Sequence, residues 1–328
     1  MGINQIKISV IIPMYNVAKV IHRAVQSLVN QTLTGFEVIF IDDCSKDDTI
    51  KVLNGLLENN KNFTFKIVSH EQNRGVAAAR NTGLEHASGE FIYYVDADDY
   101  IDSTTLETLY TQAISKNADI VGCEWFLTFA QKERHVSQAD CTTGDELFVK
   151  MANGVVRWNL WLFLVKRSLY QEYNIRFIER MNMGEDMMVM MKLALQAHRV
   201  AMLHVPLYHY IQTNTNSLTK NFQAYQNQVT ANAMEIERYL IEIGRGDMKE
   251  SLLQLKLSLK LPLLISNKQA DYDTWEKWFP ETNSAVNANR NLPWRTRFIQ
   301  QCASKKQYWV LRLYYFLVVK LFYGIIYR

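Results

Sequence analysis

Residues 91–99 read Phe-Ile-Tyr-Tyr-Val-Asp-Ala-Asp-Asp, an apolar run that passes directly into three carboxylates within four residues. Acids this close repel one another unless a cation or hydrogen-bond donors compensate them. Oxygen ligands of this kind suit Mg²⁺ or Mn²⁺, which bind one or two carboxylates together with substrate phosphates. For Asp99 alone, a turn or helix N-cap is an equally good explanation. The stretch therefore predicts a buried strand with a candidate metal site at its end.

The hundred residues around this stretch repeat one pattern, in which a β-branched or aromatic run alternates with a helical period. The predicted strands cover Ile6–Pro13, Phe36–Ile41, Phe63–Val68 and Phe91–Val95, and the predicted helices cover about 20–28, 49–59 and 77–84. Such alternation is typical of an α/β domain with a largely parallel sheet.

Polar groups follow three of these predicted strands. They are Tyr15-Asn16, Asp42-Asp43 and Asp96 to Asp99. Ligands of open α/β sheets bind at the carboxyl ends of the strands, and an apolar core needs no such groups there. We therefore expect the three clusters to form one site on one rim of the sheet.

Composition sets the limits of this prediction. A chain of 328 residues that is 48% apolar and 21% charged can build one large domain or two smaller ones. Its formal charge of +3 is too small to indicate nucleic-acid binding. The four cysteines form no C-x-x-C pair and no zinc spacing, which fits reduced thiols in a cytosolic compartment. Residues 1–10 lack a signal-peptide pattern, so we expect the catalytic part to face the cytoplasm.

Four motifs in order give the sequence a specific resemblance. They read Ser-Val-Ile-Ile-Pro-Met-Tyr-Asn (9–16), Ile-Asp-Asp-Cys-Ser-Lys-Asp-Asp-Thr (41–49), Asn-Arg-Gly-Val-Ala-Ala-Ala-Arg-Asn-Thr-Gly (73–83) and Gly-Glu-Phe-Ile-Tyr-Tyr-Val-Asp-Ala-Asp-Asp (89–99). With them the chain resembles the family-2 glycosyltransferases of the GT-A nucleotide-sugar fold. The resemblance implies a Rossmann-like, mostly parallel sheet with a C-terminal helical extension. One departure is Cys44, where the family most often has glycine; its side chain is small enough to fit.

The resemblance also implies a donor site. Pro13 and Tyr15 would line the base pocket, with the Tyr15 ring available for stacking. Asp43 would accept a hydrogen bond from the N3–H of uracil, which favours a UDP-sugar donor. Asn73 and Arg80, both in the third motif, would contact the nucleotide, where a planar fork of donors is useful.

The same resemblance implies the metal site and the base. Asp98 would bind Mn²⁺ or Mg²⁺ at the diphosphate, and Asp96 would hold the ribose or assist the metal. Asp186 resembles the family's base, which removes the acceptor proton, and its methionine neighbours would raise its pKa. The alternative is that Asp186 and its neighbour Glu185 only complement a helix dipole in a first turn. His209 is a further metal or phosphate candidate, or else a structural hydrogen-bonding residue.

Other features of the second half have two explanations each. The six methionines between Met181 and Met191 indicate adaptable core packing more than a binding surface. Trp158 and Trp161 are candidates for a platform under the acceptor sugar, or for buried core residues. Residues 208–210 and 216–219 resemble the family's closing motif, whose loop covers the donor diphosphate.

The C-terminal segment differs in composition from the rest. Residues 295–328 hold seven Lys or Arg and no acid. Residues 308–327 have the length of a bilayer span, but Arg312 and Lys320 interrupt them, and charges in a span are costly. Basic and aromatic residues together favour a segment that lies in the interface of an anionic membrane. A lipid-linked acceptor would explain why such a segment is present. The alternative is a terminal helix packed on the protein or on a second subunit, as in a homo-oligomer.

Together these observations predict three parts: a catalytic domain over 1–220, with a nucleotide-sugar half (1–100) and an acceptor half (101–220), a helical extension over 221–293, and a membrane-associating tail over 294–328. The predicted function is inverting, metal-dependent transfer of a sugar from a nucleotide donor to a glycan or lipid-linked acceptor in cell-surface polysaccharide synthesis. The predicted location is the inner face of the cell membrane.

A sugar nucleotidyltransferase would need a Gly-rich, basic phosphate loop after the first strand, which residues 14–17 do not supply. A catalytically silent binding protein would be expected to lack Asp98 or Asp186.

Overall fold

The computed structural model describes residues 6–212, 225–287 and 292–318. The chain divides into two compact units, of which the first comprises Met1–Phe148 and Val156–Tyr239 and the second Val149–Val155 and Leu240–Arg328. The division after Tyr239 lies later in the chain than the boundary at residue 220 expected from the sequence.

The first unit is organised around a nine-stranded sheet of the described residues. Its strands are β1 Ile8–Met14, β2 Glu37–Asp42, β3 Thr64–Ser69, β4 Phe91–Tyr94, β5 Tyr100–Ile101, β6 Ile120–Thr128, β7 Glu133–Val136, β8 Phe163–Lys166 and β9 Val200–Ile211. Their order is β3-β2-β1-β4-β8-β6-β9-β5, with β7 paired to β6. The first four strands are parallel, as the alternation predicted, whereas β8 runs antiparallel to both of its neighbours.

Helices connect and cover these strands. They are α1 Ile21–Val29, α2 Thr49–Leu57, α3 Val76–His86, α4 Thr105–Lys116, α5 Gly144–Ala152, α6 Arg167–Glu172, α7 Glu185–Gln196, α8 Gln226–Glu242, α9 Lys249–Leu259, α10 Leu261–Leu264, α11 Gln269–Lys277, α12 Trp294–Ser304 and α13 Tyr308–Tyr314. Within the first hundred residues every predicted strand and helix is present, with ends shifted by at most a few residues.

The core of the first unit lies on the parallel strands. Val10, Ile11 and Ile12 of β1 are completely buried, because helices cover both faces of such a sheet. Each buried side chain of this size stabilises the fold by about 1.5–3 kcal/mol. Helix α3 lies close against β1, since a Cβ at Gly83 would meet Ile11 Cγ2 at 2.3 Å. The packing holds the start of α3 near the ends of the strands.

The second unit is helical in its described part. The helical extension expected over 221–293 is interrupted at Gly244, which has a φ of +71°, and α10 begins with Pro262 in its first turn. The fully buried Lys260 ammonium donates hydrogen bonds to Thr282 Oγ1 and Asn283 Oδ1 and lies 4.2 Å from the centre of the Trp275 ring. These contacts tie α10 and α11 to the 3₁₀ helix Pro280–Asn287.

Among the helices of residues 6–212, 225–287 and 292–318, none is both long enough and apolar enough to cross a bilayer.

Candidate active site

The three polar clusters meet on one rim of the sheet, as the sequence predicted. Strand β1 lies between β2 and β4, and both pairings are parallel, so the segments that follow the three strands are adjacent. Backbone hydrogen bonds continue past the strand ends, from Asp43 N to Met14 O at 2.9 Å and from Val95 N to Ile11 O at 3.2 Å. The regular sheet therefore sets the spacing of the site.

Asp43 is buried, and its carboxylate holds the loop that leads into α3. It accepts hydrogen bonds from the backbone amides of Arg74 at 2.8 Å and Gly75 at 2.7 Å, and it lies 2.7 Å from His70 Nδ1. The Asn73 amide donates to the Asp43 carbonyl at 3.1 Å. These bonds occupy most of the acceptor capacity of the carboxylate. Asp43 thus has a structural role in addition to any contact with the base of a nucleotide.

The loop held by Asp43 borders a polar cavity of about 520 Å³, which is lined by Gln72, Asn73, Arg74, Gly75, Glu179, Arg180 and Asn182. Gly75 has a φ of +87°, and a Cβ there would lie 2.3 Å from Asn182 Nδ2. Asn182 Oδ1 in turn accepts from Ala77 N at 3.2 Å. Only glycine fits this position, because the backbone is left-handed and Asn182 fills the space of a side chain.

The loops after β1 and β2 are tied to each other at left-handed residues. Asn16 has a φ of +54° and accepts from Lys46 N through its side chain at 2.7 Å. Cys44 has a φ of +63°, which explains why glycine is usual in the resembling family at this position. The Tyr15 side chain is 47% exposed, so its ring is accessible to a stacking partner.

The carboxylates after β4 have different surroundings. Asp99 is fully buried and accepts hydrogen bonds from the Tyr208 hydroxyl at 2.9 Å and from Ile211 N at 2.8 Å. Tyr208 also accepts from Asp96 N at 3.1 Å. Burial, together with Asp96 and Asp98, raises the pKa of Asp99 well above its usual range. Asp99 therefore links this loop to β9 through hydrogen bonds, and it does not cap a helix.

Asp96 and Asp98 remain partly accessible and suit a divalent cation that a substrate shares. Within the described residues, no group of three or more His, Cys, Asp or Glu side chains forms a metal cage. Mg²⁺ and Mn²⁺ sites that also use substrate phosphates need only one or two protein carboxylates. Burial, and then the Asp98 and Asp186 charges, raise the pKa of Asp96 to about 7 in spite of Arg80 nearby. This excess of negative charge fits a bound cation.

Asp186 lies in the first turn of α7 and is held from two sides. Its Oδ1 accepts from Arg80 Nη1 at 2.5 Å, and its Oδ2 faces the amide of Leu160 at 3.4 Å. The same Arg80 nitrogen donates to Glu185 Oε1 at 2.8 Å, and Arg80 Nη2 lies 3.6 Å from Asp96 Oδ1. The structure thus brings Asp186 to the rim that carries Asp96, although the two are far apart in the sequence.

Glu185 is buried beside this pair. Burial, and then repulsion by Asp186, raise the pKa of Glu185 to about 7, while Arg80 opposes the rise. A carboxyl that titrates near neutral pH is typical of functional sites. The methionines that follow it at 187, 188, 190 and 191 are completely buried, as expected for core packing, whereas Met181 and Met183 are partly exposed.

The aromatic residues before Asp186 have separate environments. Trp161 is buried and stacks on Tyr208, with ring centres 4.2 Å apart, while Trp125 meets it edge-on at 6.0 Å. Trp161 therefore supports the wall behind the carboxylates. Trp158 is partly exposed, so of the two tryptophans considered from the sequence it is the one with more surface for a sugar ring.

His209 points away from the carboxylates of Asp96, Asp98 and Asp99. Neighbouring side chains of a strand face opposite sides, and Tyr208 already faces Asp99. The His209 ring stacks between Tyr100 and Phe126, and its two nitrogens lie 2.8 Å from Glu133 Oε1 and 3.4 Å from Asp102 Oδ1. These contacts favour the structural alternative over metal binding. The second part of the expected closing motif, residues 216–219, lies outside the described residues.

Two contacts of this site were not predicted from the sequence. Arg80, which was predicted to contact the nucleotide, pairs with Glu185 and Asp186, 105 and 106 residues away. Nothing local in the sequence indicates this pairing. The second contact is the hydrogen bond from the Tyr208 hydroxyl to Asp99, for which the alternation of side chains along a strand offered a signal.

Comparisons with known proteins bear on the family and the fold of this chain. The family model described as glycosyl transferase family 2 matches residues 9–179. An uncharacterized glycosyltransferase, EpsJ of Bacillus subtilis, is 30% identical over 273 residues, which cover 79% of this chain and 77% of EpsJ. A cholesterol galactosyltransferase of Borreliella burgdorferi is 30% identical over 247 residues, which cover 71% of this chain and 68% of that protein.

Among solved structures, Staphylococcus aureus TarS 1–349 in complex with UDP-GlcNAc superposes with a TM-score of 0.71 at 21% identity, covering 94% of this chain and 91% of that one. The mannosyltransferase PcManGT of Pyrobaculum calidifontis, in complex with GDP-Man and Mn²⁺, has a TM-score of 0.54 at 18% identity, covering 94% and 83%. These likenesses confirm the predicted α/β GT-A fold with helices at its C-terminal end.

Proposed function

This chain belongs to glycosyl transferase family 2 and is a glycosyltransferase, and on that premise we propose that it transfers a sugar from UDP to an acceptor hydroxyl with inversion. Among its relatives is a poly(ribitol-phosphate) β-N-acetylglucosaminyltransferase, TarS of S. aureus, 32% identical over 210 residues that cover 62% of this chain and 35% of TarS. The proposed acceptor is a glycan or lipid-linked glycan of cell-surface polysaccharide synthesis.

The observation that carries the proposal is the shared rim of donor and base groups. Asp186, Asp96 and Arg80 form one chain of contacts, with Arg80 at 2.5 Å from Asp186 and 3.6 Å from Asp96. A nucleotide-binding protein without transfer chemistry has no need for a second carboxylate beside the donor carboxylates. A transferase needs one, because the acceptor hydroxyl must lose a proton as it attacks.

In the proposed reaction the acceptor oxygen attacks the anomeric carbon from the side opposite the diphosphate. The bond between that carbon and the diphosphate oxygen breaks as the new bond forms, and the electron pair leaves with UDP. Asp186 receives the acceptor proton. One direct displacement inverts the anomeric configuration, and no covalent enzyme intermediate is needed. Retention of configuration in the product would contradict this mechanism.

The donor side uses the residues of the sheet rim. Tyr15 offers an exposed ring for the base. Asp98 and Asp96 would hold Mn²⁺ or Mg²⁺, which supplies charge neutralisation at the diphosphate when bound. PcManGT was solved with GDP-Man and Mn²⁺ and TarS with UDP-GlcNAc, so the fold accommodates both nucleotides. The choice of UDP rests on Asp43.

Asp98→Ala tests the metal assignment. It should lower metal-dependent turnover of UDP-sugars at least ~100-fold, because several kcal/mol of charge stabilisation are lost. Hydrolysis and transfer are measured for a panel of UDP- and GDP-sugars with Mn²⁺, with Mg²⁺ and with chelator. Asp273→Ala, on the exposed surface of α11, is the control. Full activity of Asp98→Ala would show that the metal assignment is wrong.

We further propose that α12 and α13 bind the surface of an anionic membrane. Helix α13 and the residues after it expose Trp309 (69%), Leu313 (50%) and Phe316 (57%), which are spaced i, i+4 and i+7 on one face. The opposite side is anchored by Leu311, which is fully buried. An exposed apolar row with Arg312 beside it suits the headgroup region of anionic lipid.

Vesicle sedimentation tests the membrane proposal. Trp309→Ala combined with Leu313→Ala should weaken binding of the full chain to vesicles of mixed anionic and neutral lipid about tenfold or more, since both side chains lose apolar contact. Ile241→Ser, which removes an exposed apolar side chain of α8, should leave binding unchanged. Equal binding of the double variant and the unmodified chain would overturn the proposal.

A further inference from the structure

Arg80 has an environment that a nucleotide contact does not require. Its side chain is 5% exposed, and its guanidinium carbon lies 5.8 Å from the centre of the Tyr94 ring and 5.6 Å from that of Phe177. The two rings restrict the plane of the guanidinium. A group buried in this way presents little surface to a substrate.

The terminal nitrogens of Arg80 face carboxylates, whereas its buried Nε has no hydrogen-bond partner among the described residues. Nη1 donates to Glu185 Oε1 at 2.8 Å and to Asp186 Oδ1 at 2.5 Å, which uses both of its protons. Nη2 approaches Asp96 Oδ1 at 3.6 Å. The planar fork of arginine fixes these directions, which a lysine ammonium does not do.

From this geometry we infer that Arg80 is a positioning residue for Asp186 and does not bind the nucleotide. The inference rests on the proposed role of Asp186 as base. Arg80 holds Oδ1, which leaves Oδ2 as the oxygen that receives the acceptor proton; among the described residues Oδ2 has a long 3.4 Å contact with Leu160 N. Through Asp96, the same guanidinium sets the distance between the base and the donor side of the site.

Arg80→Lys is the variant that separates the two roles, because it keeps the charge and loses the fork. We expect kcat for transfer to fall about 100-fold, the effect of a base displaced by about 1 Å. The affinity for UDP, measured by titration calorimetry on the full chain with Mn²⁺, should change less than about threefold. A loss of UDP affinity as large as the loss of kcat/KM would show that Arg80 binds the nucleotide and overturn the inference.

A double-mutant cycle with Asp186→Asn gives an independent readout. If Arg80 acts through Asp186, then Arg80→Lys should cost less than about threefold in a chain that already carries Asp186→Asn. Additive losses would overturn the inference and leave the role of Asp186 intact. Full activity of Asp186→Asn itself would instead contradict the proposed function.

Lys192→Met is the matched control for a general loosening of α7. Lys192 lies on the same helix, is also buried, and pairs with Glu235 at 2.5 Å. We expect this change to lower the unfolding temperature and leave kcat unchanged. A fall in kcat equal to that of Arg80→Lys would mean that the Arg80→Lys effect comes from a loss of stability, which would overturn the inference. Should Arg80→Lys fail to fold, Arg80→Gln, which retains a planar donor, undergoes the same measurements with the same expected split.

Discussion

Helix α7 takes part in two ion networks with opposite charge balance, of which the first is largely buried and the second reaches the surface at Arg238. In its first turn, Glu185 and Asp186 share the single guanidinium of Arg80, which also faces Asp96. Almost two turns later, Lys192 pairs with Glu235, and Glu235 also accepts two hydrogen bonds from Arg238, at 2.7 and 2.8 Å. Counted over these contacts of the described residues, the first network has more carboxylates than cations, and the second has more cations than carboxylates.

The difference in charge balance distinguishes a network suited to catalysis from a network that stabilises the fold. In the first network, burial and repulsion raise the pKa values of Glu185 and Asp96 to about 7. In the second, hydrogen bonds from Arg238 and Lys192 lower the pKa of Glu235 to about 2. At neutral pH a carboxylate with a raised pKa lowers the stability of the fold, and such carboxylates are typical of functional sites. One with a lowered pKa stabilises the fold.

The largest expected effect is that of Asp186→Asn. The variant cannot take the acceptor proton, so kcat should fall by about 10²–10⁴. Its free energy of unfolding should stay equal or rise, because repulsion with Glu185 is removed. Transfer assays and urea unfolding at pH 8 measure the two quantities. A variant that loses stability together with activity would remove the contrast between the networks.

The next effect concerns the pH dependence of stability. The pKa of Glu185 is raised from an ordinary 4.5 to about 7 in the folded chain. The folded state therefore binds more protons than the unfolded state between these values, and Glu185 lowers the stability as pH rises from 4.5 through about 7. The loss approaches about 3 kcal/mol.

Glu185→Gln should remove this pH-dependent loss while it keeps the shape of the side chain. Urea unfolding of both proteins at intervals from pH 5 to pH 8 gives the comparison. The two stabilities should diverge as pH rises, in favour of the variant. Parallel curves would mean that Glu185 is not the group that carries the excess charge.

Glu235→Gln is the corresponding change in the second network. The pKa of Glu235 is lowered to about 2, so its contribution is present above pH 4.5 and is lost as pH falls toward 2. The substitution should cost about 2 kcal/mol at pH 7, because Lys192 remains buried without its carboxylate. The difference from the unmodified chain should shrink below pH 4.5. Unchanged kcat would confirm that this network fastens α7 without taking part in transfer.

The contrast also shows what the sequence could and could not reveal. The first hundred residues were predictable, because β-branched runs and helical periods are local signals and parallel strands align their ends. Asp43, Asp96 and Asp98 were found in that way. The pairing of Arg80 with Glu185 and Asp186 was not, since it depends on packing between segments 105 and 106 residues apart. For His209 the sequence left metal binding and a structural role both open, and its contacts with Glu133 and Asp102 favour the structural role.

The smallest expected effect is that of Arg238→Ala, at the exposed cation of the second network. Arg238 is 63% exposed at its side chain and lies three residues after Glu235 on α8. An exposed pair of this spacing contributes about 0.3–0.5 kcal/mol, because water and salt screen it. Arg238→Ala should therefore lower the stability by that amount at low salt and by less at 1 M salt, with no change in kcat. A loss as large as that of Glu235→Gln would mean that Lys192 alone does not compensate Glu235, and that the second network depends on both of its cations.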